Sequence, residues 1–153
     1  MSRDRLSENL FKTVVRHTPL VSIDLIVRNA RNEVLLGRRL NRPAKEFWFV
    51  PGGIVRKDEL LAEAFHRLVK EEIGMEMHIK NARFIGPFEH FYLDNFSGLD
   101  FSTHYVVLAH EIVADISLDL LPAQQHDRYR WFTEDSLLES ERVHQHTKLY
   151  FEK

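Results

Sequence analysis

Apolar residues along this chain follow two periods, one near 3.6 and one near 2, and the changes between them outline its elements. Residues 5–16 carry Leu6, Leu10, Phe11 and Val14 at helical spacing, which predicts a short amphipathic helix closed by Pro19. Leu20 to Val27 is apolar apart from Ser22 and Asp24, which alternate with Val21, Ile23 and Leu25, and this predicts a strand. Asn29 to Asn32 reads as a turn and Glu33 to Gly37 as the return strand. A polar loop over 40–46 leads to a short strand, Phe47 to Val50. Asp58 then stands as the cap of a helix, with Glu59 in its first turn, Leu61, Phe65 and Leu68 on its buried face and Gly74 at its end.

Arg83 to Leu93 and Thr103 to Ile112 read as two longer strands separated by the turn formers of 94–98. Leu120 to Asp127 is a loop, Tyr129 to Phe132 a strand, and Thr133 caps a short helix over 134–139, with a last helical segment over 144–151. Strands flank a central helix and helices close the chain, so the expected class is α/β, a mixed β-sheet sandwiched between α-helices.

Composition narrows the function. A length of 153 residues, 44% hydrophobic and 29% charged, suits one globular domain over 1–153. The formal net charge of -2, without a long run of one sign, argues against a nucleic-acid or anionic-membrane partner. The chain has no Cys, which excludes disulfides and thiolate chemistry. The charged start (Arg3, Asp4, Arg5) has no apolar signal core, and no apolar run reaches membrane-spanning length, so a cytoplasmic protein is expected.

The central helix carries the chemistry. Gly52-Gly53 upstream is either a plain turn or a place where backbone carbonyls approach a cation. Glu59, Glu63, Arg67 and Glu71 recur every four residues, as on a solvated, ion-paired face. Glu72 differs: four residues after Leu68, it falls at the core-facing edge, where a carboxylate needs a partner or a metal. Mg²⁺ takes oxygen ligands and shares them with substrate phosphates.

Gly53, Glu59, Arg67, Glu71, Glu72 and Gly74, with Val69 and Met75 at the apolar positions, resemble the Nudix box, G-x5-E-x7-R-E-U-x-E-E-x-G-U, broken only by Leu68 where the box has Glu. TPLVSIDLIV (18–27), LLGRRLNRPA (35–44), WFVPGG (48–53), EHFYLDNFSG (89–98), THYVVL (103–108) and QQHDRYRW (124–131) are similar to the GDP-mannose mannosyl hydrolase subfamily, which also departs from the box after the Arg. The resemblance implies the Nudix fold, Mg²⁺ or Mn²⁺, a homodimer, and a nucleotide-sugar substrate hydrolysed by water attack at the sugar C1 with inversion.

By the same resemblance, the Gly52 carbonyl, Glu72 and Gln125 are metal ligands, His126 is the general base and Arg39 stabilises the departing GDP. An imidazole suits the base role near neutral pH. Tyr105 is either a donor to the diphosphate or a half-buried strand tyrosine. Asp24 is either an acid beside the developing oxocarbenium ion or a strand-face carboxylate paired with Arg39 or another base. Arg67 either reaches the phosphates or orders the helix with Glu63 or Glu71. Arg5, Leu6 and Phe11 are the candidates for the base-recognition site, Phe11 by stacking on guanine or else as the apolar face of the first helix. His90 and His104 are further candidates. Ile54 stands where the subfamily often has an Arg. The alternatives are a conventional Nudix pyrophosphohydrolase attacking phosphorus, with Glu71 as base, and a non-catalytic nucleotide-sugar sensor.

Overall fold

The computed structural model describes residues 5–122 and 126–152, with backbone alone at 126 and 127. Helix α1 (Glu8–His17) starts at Ser7, whose hydroxyl accepts from the Leu10 amide at 3.3 Å, and it ends with Arg16 and His17 in the last turn. Strand β1 (Leu20–Arg28) turns into β2 (Val34–Arg39) through Asn29, whose side chain accepts from the Arg31 and Glu33 amides. Two short strands, β3 (Trp48–Phe49) and β4 (Gly52–Ile54), precede helix α2 (Leu61–Ile73). Gly74 stops α2 in the left-handed region, φ 70°. Strands β5 (Arg83–Tyr92), β6 (Thr103–Val113) and β7 (His126–Phe132) follow, then the short helices α3 (Glu134–Glu139) and α4 (Gln145–Lys148). Thr133 caps α3, accepting from the Ser136 amide at 3.1 Å.

The strands form one mixed sheet, ordered β3-β2-β1-β6-β5, with β4 also on β1 and β7 also on β2. Among the described strand pairs, β1 and β6 run parallel, in register from Leu20↔Tyr105 to Arg28↔Val113, and the others antiparallel. Alternation along β1 divides the core. Ile23, Leu25 and Val27 pack with Leu35 and Ile112 against Phe65, Leu68, Val69 and Ile73 of α2. Ile26 faces the other way, with Leu36, Ala109 and Phe132 against Leu137 of α3 and with Val143 and Phe151. The sheet is therefore covered on both faces, as the pattern predicts.

Several local expectations are corrected. Asp58 is not a cap: it takes a left-handed φ of 64°, and α2 starts at Leu61 without a side-chain cap. Leu61 is exposed, because the first turn of α2 runs past the core; the buried stripe is Ala64, Phe65, Leu68, Val69, Glu72 and Ile73. Gly52-Gly53 forms no plain turn but strand β4, paired as Asp24↔Gly52 and Ile23↔Gly53. A Cβ on Gly52 would lie 2.4 Å from the Ile23 carbonyl oxygen and 2.5 Å from Asp24 Oδ1, so close approach to β1 demands glycine there. Strand β7 begins at His126, earlier than its apolar residues indicate, and β2 runs on to Arg39.

Candidate active site

Strand β4 divides the site as β1 divides the core. Gly53 faces α2: a Cβ there would meet Leu68 Cδ2 at 2.5 Å and stand 3.9 Å from Glu72 Oε1. Leu68, 2% exposed, thus fills the space beneath Gly53 where the box places a carboxylate. Arg67 braces the loop to the helix. Its Nε and one terminal nitrogen grip both Glu59 oxygens at 2.8 and 3.0 Å, while further donors reach Glu71 at 3.2 Å and the Ile54 carbonyl at 2.9 Å. This pairing holds the Glu59 carboxyl below its ordinary range. Glu59, rather than Glu63, is the chief partner, and most of the Arg67 donors are committed.

Glu72 is buried, and its pKa is pushed up to about 7, first by burial and next by the Glu71 charge, with Asp24 adding to it and Arg39 and Arg5 opposing. Among the described residues its carboxylate has no hydrogen-bond donor. A buried, underpaired carboxylate beside a second one and a glycine strand is a hard-oxygen set that suits a divalent cation, so these residues fit the metal that the box implies.

On the other face of β1, Asp24 lies against Gly52. Burial raises its pKa to about 7, while the Tyr150 hydroxyl, which donates to Oδ2, and the Arg39 charge pull it down. Arg39 is the common counter-charge of this face, acting on Asp24, Glu72, Tyr92 and Tyr105. Its Nε donates to the Pro43 carbonyl at 2.9 Å and its guanidinium lies 5.7 Å from the Phe49 ring centre. Its terminal nitrogens have no hydrogen-bond acceptor among the described residues. Tyr105 stands edge-on to Tyr92, centroids 6.1 Å apart, and burial raises its phenol.

The structure thus brings Asp24, Arg39, Tyr105, Gly52 and Glu72 together, with Arg5 near enough to influence Glu72. His126 enters as the first residue of β7, its Cα paired with that of Arg39. Gln125 lies outside the described residues. Leu6 is exposed, and Phe11 rests on Phe96 at 4.9 Å. His104 packs against Phe91 in a tilted pair, ring centroids 4.5 Å apart. Sequence reasoning missed the C-terminal contribution: His144, His146 and Tyr150 pack with Tyr92 and His90 beside Asp24. The only sequence signal is aromatic and imidazole side chains crowded into a short, otherwise polar segment.

Comparison with known proteins is consistent with this frame. Residues 18–152 match the NUDIX domain family. The chain is 42% identical over 112 residues to the "Low-salt glycan biosynthesis protein Agl8" of Haloferax volcanii, covering 72% of this chain and 69% of that protein. It is 38% identical over 63 residues to an "ADP-ribose pyrophosphatase" of Methanocaldococcus jannaschii, covering 41% of this chain and 37% of that one. Among solved structures, the MutT protein of Methanosarcina mazei superposes with a TM-score of 0.67 at 25% identity over 88% of this chain and 92% of that one. No described helix is long and apolar enough to cross a membrane.

Proposed function

The chain belongs to the NUDIX family, and on that premise we propose that it hydrolyses a GDP-sugar, GDP-mannose or GDP-glucose, by attack of water on the sugar C1 with inversion. The observation that carries this reading is Leu68, buried beneath Gly53 at the position where the box has Glu. The helix offers no carboxylate there to activate water against phosphorus.

In this reading the Gly52 carbonyl, Glu72 and Gln125 hold Mg²⁺ or Mn²⁺, which supplies charge stabilisation to the diphosphate. The remaining work falls to the chain's own side chains. Arg39, with its terminal nitrogens uncommitted among the described residues, binds the diphosphate and offsets the charge that GDP gains as it leaves. Tyr105 donates to the same group. Asp24, enclosed on the opposite side of β4 from Leu68, stabilises positive charge developing on the sugar ring. His126 takes the proton of the attacking water; its backbone pairing with Arg39 supports a place beside the leaving group. The water oxygen bonds to C1, the C1–O bond breaks, and the electron pair leaves with GDP. Arg67 is a brace between loop and helix in this scheme, because Glu59, Glu71 and Ile54 occupy its donors. With Ile54 in place of an Arg, Arg39 carries leaving-group stabilisation. Arg5, Leu6 and Phe11 contact the base, and exposed Leu10 on α1, with Leu6 just ahead of the helix, is apolar surface that a second copy would cover in a homodimer.

Hydrolysis of GDP-mannose in ¹⁸O water tests the reading. The expected products are GDP and labelled mannose; GMP with label in phosphate overturns it. The name of the Methanocaldococcus jannaschii relative favours a second reading, attack on phosphorus with Glu71 as base. Glu71 is instead engaged by Arg67 at 3.2 Å and Arg56 at 3.9 Å. A His126→Gln variant with most of its activity intact would favour that second reading.

A further inference from the structure

The C-terminal segment reaches the site by a defined route. The Trp48 amide donates to the Arg142 carbonyl at 2.9 Å, and the His144 amide donates to the Trp48 carbonyl at 3.1 Å. Helix α4 then turns the chain so that Phe151 enters the core while Tyr150 points to β1 and β5. The Tyr150 ring stands edge-on to Phe88 at 4.7 Å. Its hydroxyl meets Asp24 Oδ2 on one side and His90 Nε2, at 3.3 Å, on the other.

We propose that Tyr150 is a positioning residue for Asp24: it holds Oδ2 and leaves Oδ1 over Gly52, turned to the reacting sugar. The kinetic part of this inference rests on the GDP-sugar reading above. A phenol has one proton to donate, and with Asp24 charged it goes to the carboxylate. The contact to His90 then requires the imidazole to donate from Nε2 to the phenol oxygen. Burial, with His146 stacked at 4.4 Å and His144 nearby, holds His90 neutral with a pKa lowered to about 3, so the ring carries a single proton, and the proposed chain places it on Nε2. The chain of donors runs His90, Tyr150, Asp24, and it ends on the oxygen that does not face Gly52. Asp24 Oδ1, 2.5 Å from the place a Gly52 Cβ would occupy, stays available. A carboxylate held this way loses little freedom when the sugar arrives.

The test is a double-mutant cycle on the full chain with Mg²⁺. Tyr150→Phe is expected to lower kcat for GDP-mannose about tenfold, the value of a hydrogen bond to a charged group, with KM changed less than about twofold. Calorimetric affinity for GDP, which lacks the sugar, is expected to stay at the wild-type value. On an Asp24→Asn background the same substitution is expected to cost nothing further. Full additivity with Asp24→Asn, or an unchanged kcat, overturns the proposal. Should Tyr150→Phe fail to fold, His90→Leu breaks the chain from its other end, and the same kcat-only, non-additive loss is required. Nitrogen NMR of the His90 ring gives a readout independent of substrate. Protonation at Nε2, perturbed by Tyr150→Phe, is expected, and a proton on Nδ1 instead overturns the chain. Product analysis on the wild type judges the GDP-sugar reading separately, since the NMR result holds whichever bond is cut.

Discussion

Leu68→Glu restores the box residue in letters and should damage the protein. Leu68 is 2% exposed among Phe65, Val69, Ile23 and Leu25. Removing its side chain from the core forfeits about 2 kcal/mol of apolar burial. The carboxylate adds a desolvation cost that Glu72, one turn on, calibrates. Its pKa moves from 4.5 to about 7, which corresponds to about 3 kcal/mol against the charged form. Together these come to about 5 kcal/mol, comparable to the whole stability of many small domains. The sign with pH follows from linkage. The new carboxyl has a folded pKa above its unfolded value, so the folded state keeps a proton that the unfolded state has released. The ionisation part of the loss is therefore small near pH 4.5 and grows as pH rises toward the raised pKa, on top of the pH-independent loss of apolar burial. Urea unfolding at pH 5 and pH 7.5, with Leu68→Gln as the uncharged control, measures both parts. A loss below about 1 kcal/mol at pH 7.5, or one that does not grow with pH, refutes the assignment of this side chain to the core.

Other substitutions probe the same architecture. Gly53→Ala drives a methyl against Leu68 Cδ2 and should cost about 1–3 kcal/mol; Leu68→Ala should relieve part of that in the double mutant, so urea midpoints should be non-additive. Arg67→Ala leaves Glu59, 5% exposed, without its bidentate partner, and a loss of about 3 kcal/mol is expected by chemical unfolding, with little recovery in Arg67→Lys. His90, with its pKa lowered to about 3, remains neutral in the folded state while the unfolded state gains a proton below about 6.5, so stability falls as pH drops. From pH 7.5 to pH 5 this group should remove about 2 kcal/mol, and His90→Leu should flatten that part of the profile in thermal melts.

The box helix was readable because its defining contacts are local. Arg67 and Glu71 are one helical turn apart, Gly74 follows the last turn, and the Phe65–Leu68–Ile73 stripe obeys a single period. The mixed sheet was readable for a similar reason, since Asp24 and Ser22 interrupt the apolar run of β1 without ending it. Asp58 and Leu61 differ from expectation because cap chemistry fits two residues before the observed cap at Leu60 and apolar spacing fits a turn before the buried stripe begins, and nothing local reveals where the core stops. Strand β4 was missed because it is short and two of its three residues are glycine; its identity comes from the pairing with β1, and that pairing is also why a Cβ at Gly52 would not fit.

The order of residues alone determined the α/β class, the ion-paired stripe of α2, a core leucine where a carboxylate was due, and an acid out of place in an apolar strand. Tertiary structure alone decided what that acid touches. Asp24 and Tyr150 are 126 positions apart, yet share a hydrogen bond because β1 lies central in the sheet and the chain's last turn folds back across it. Periodicity reports which way a side chain faces relative to its own element. Which oxygen of Asp24 is held and which is left over Gly52 depends on three separate elements meeting at one point, and it is set by packing rather than by spacing.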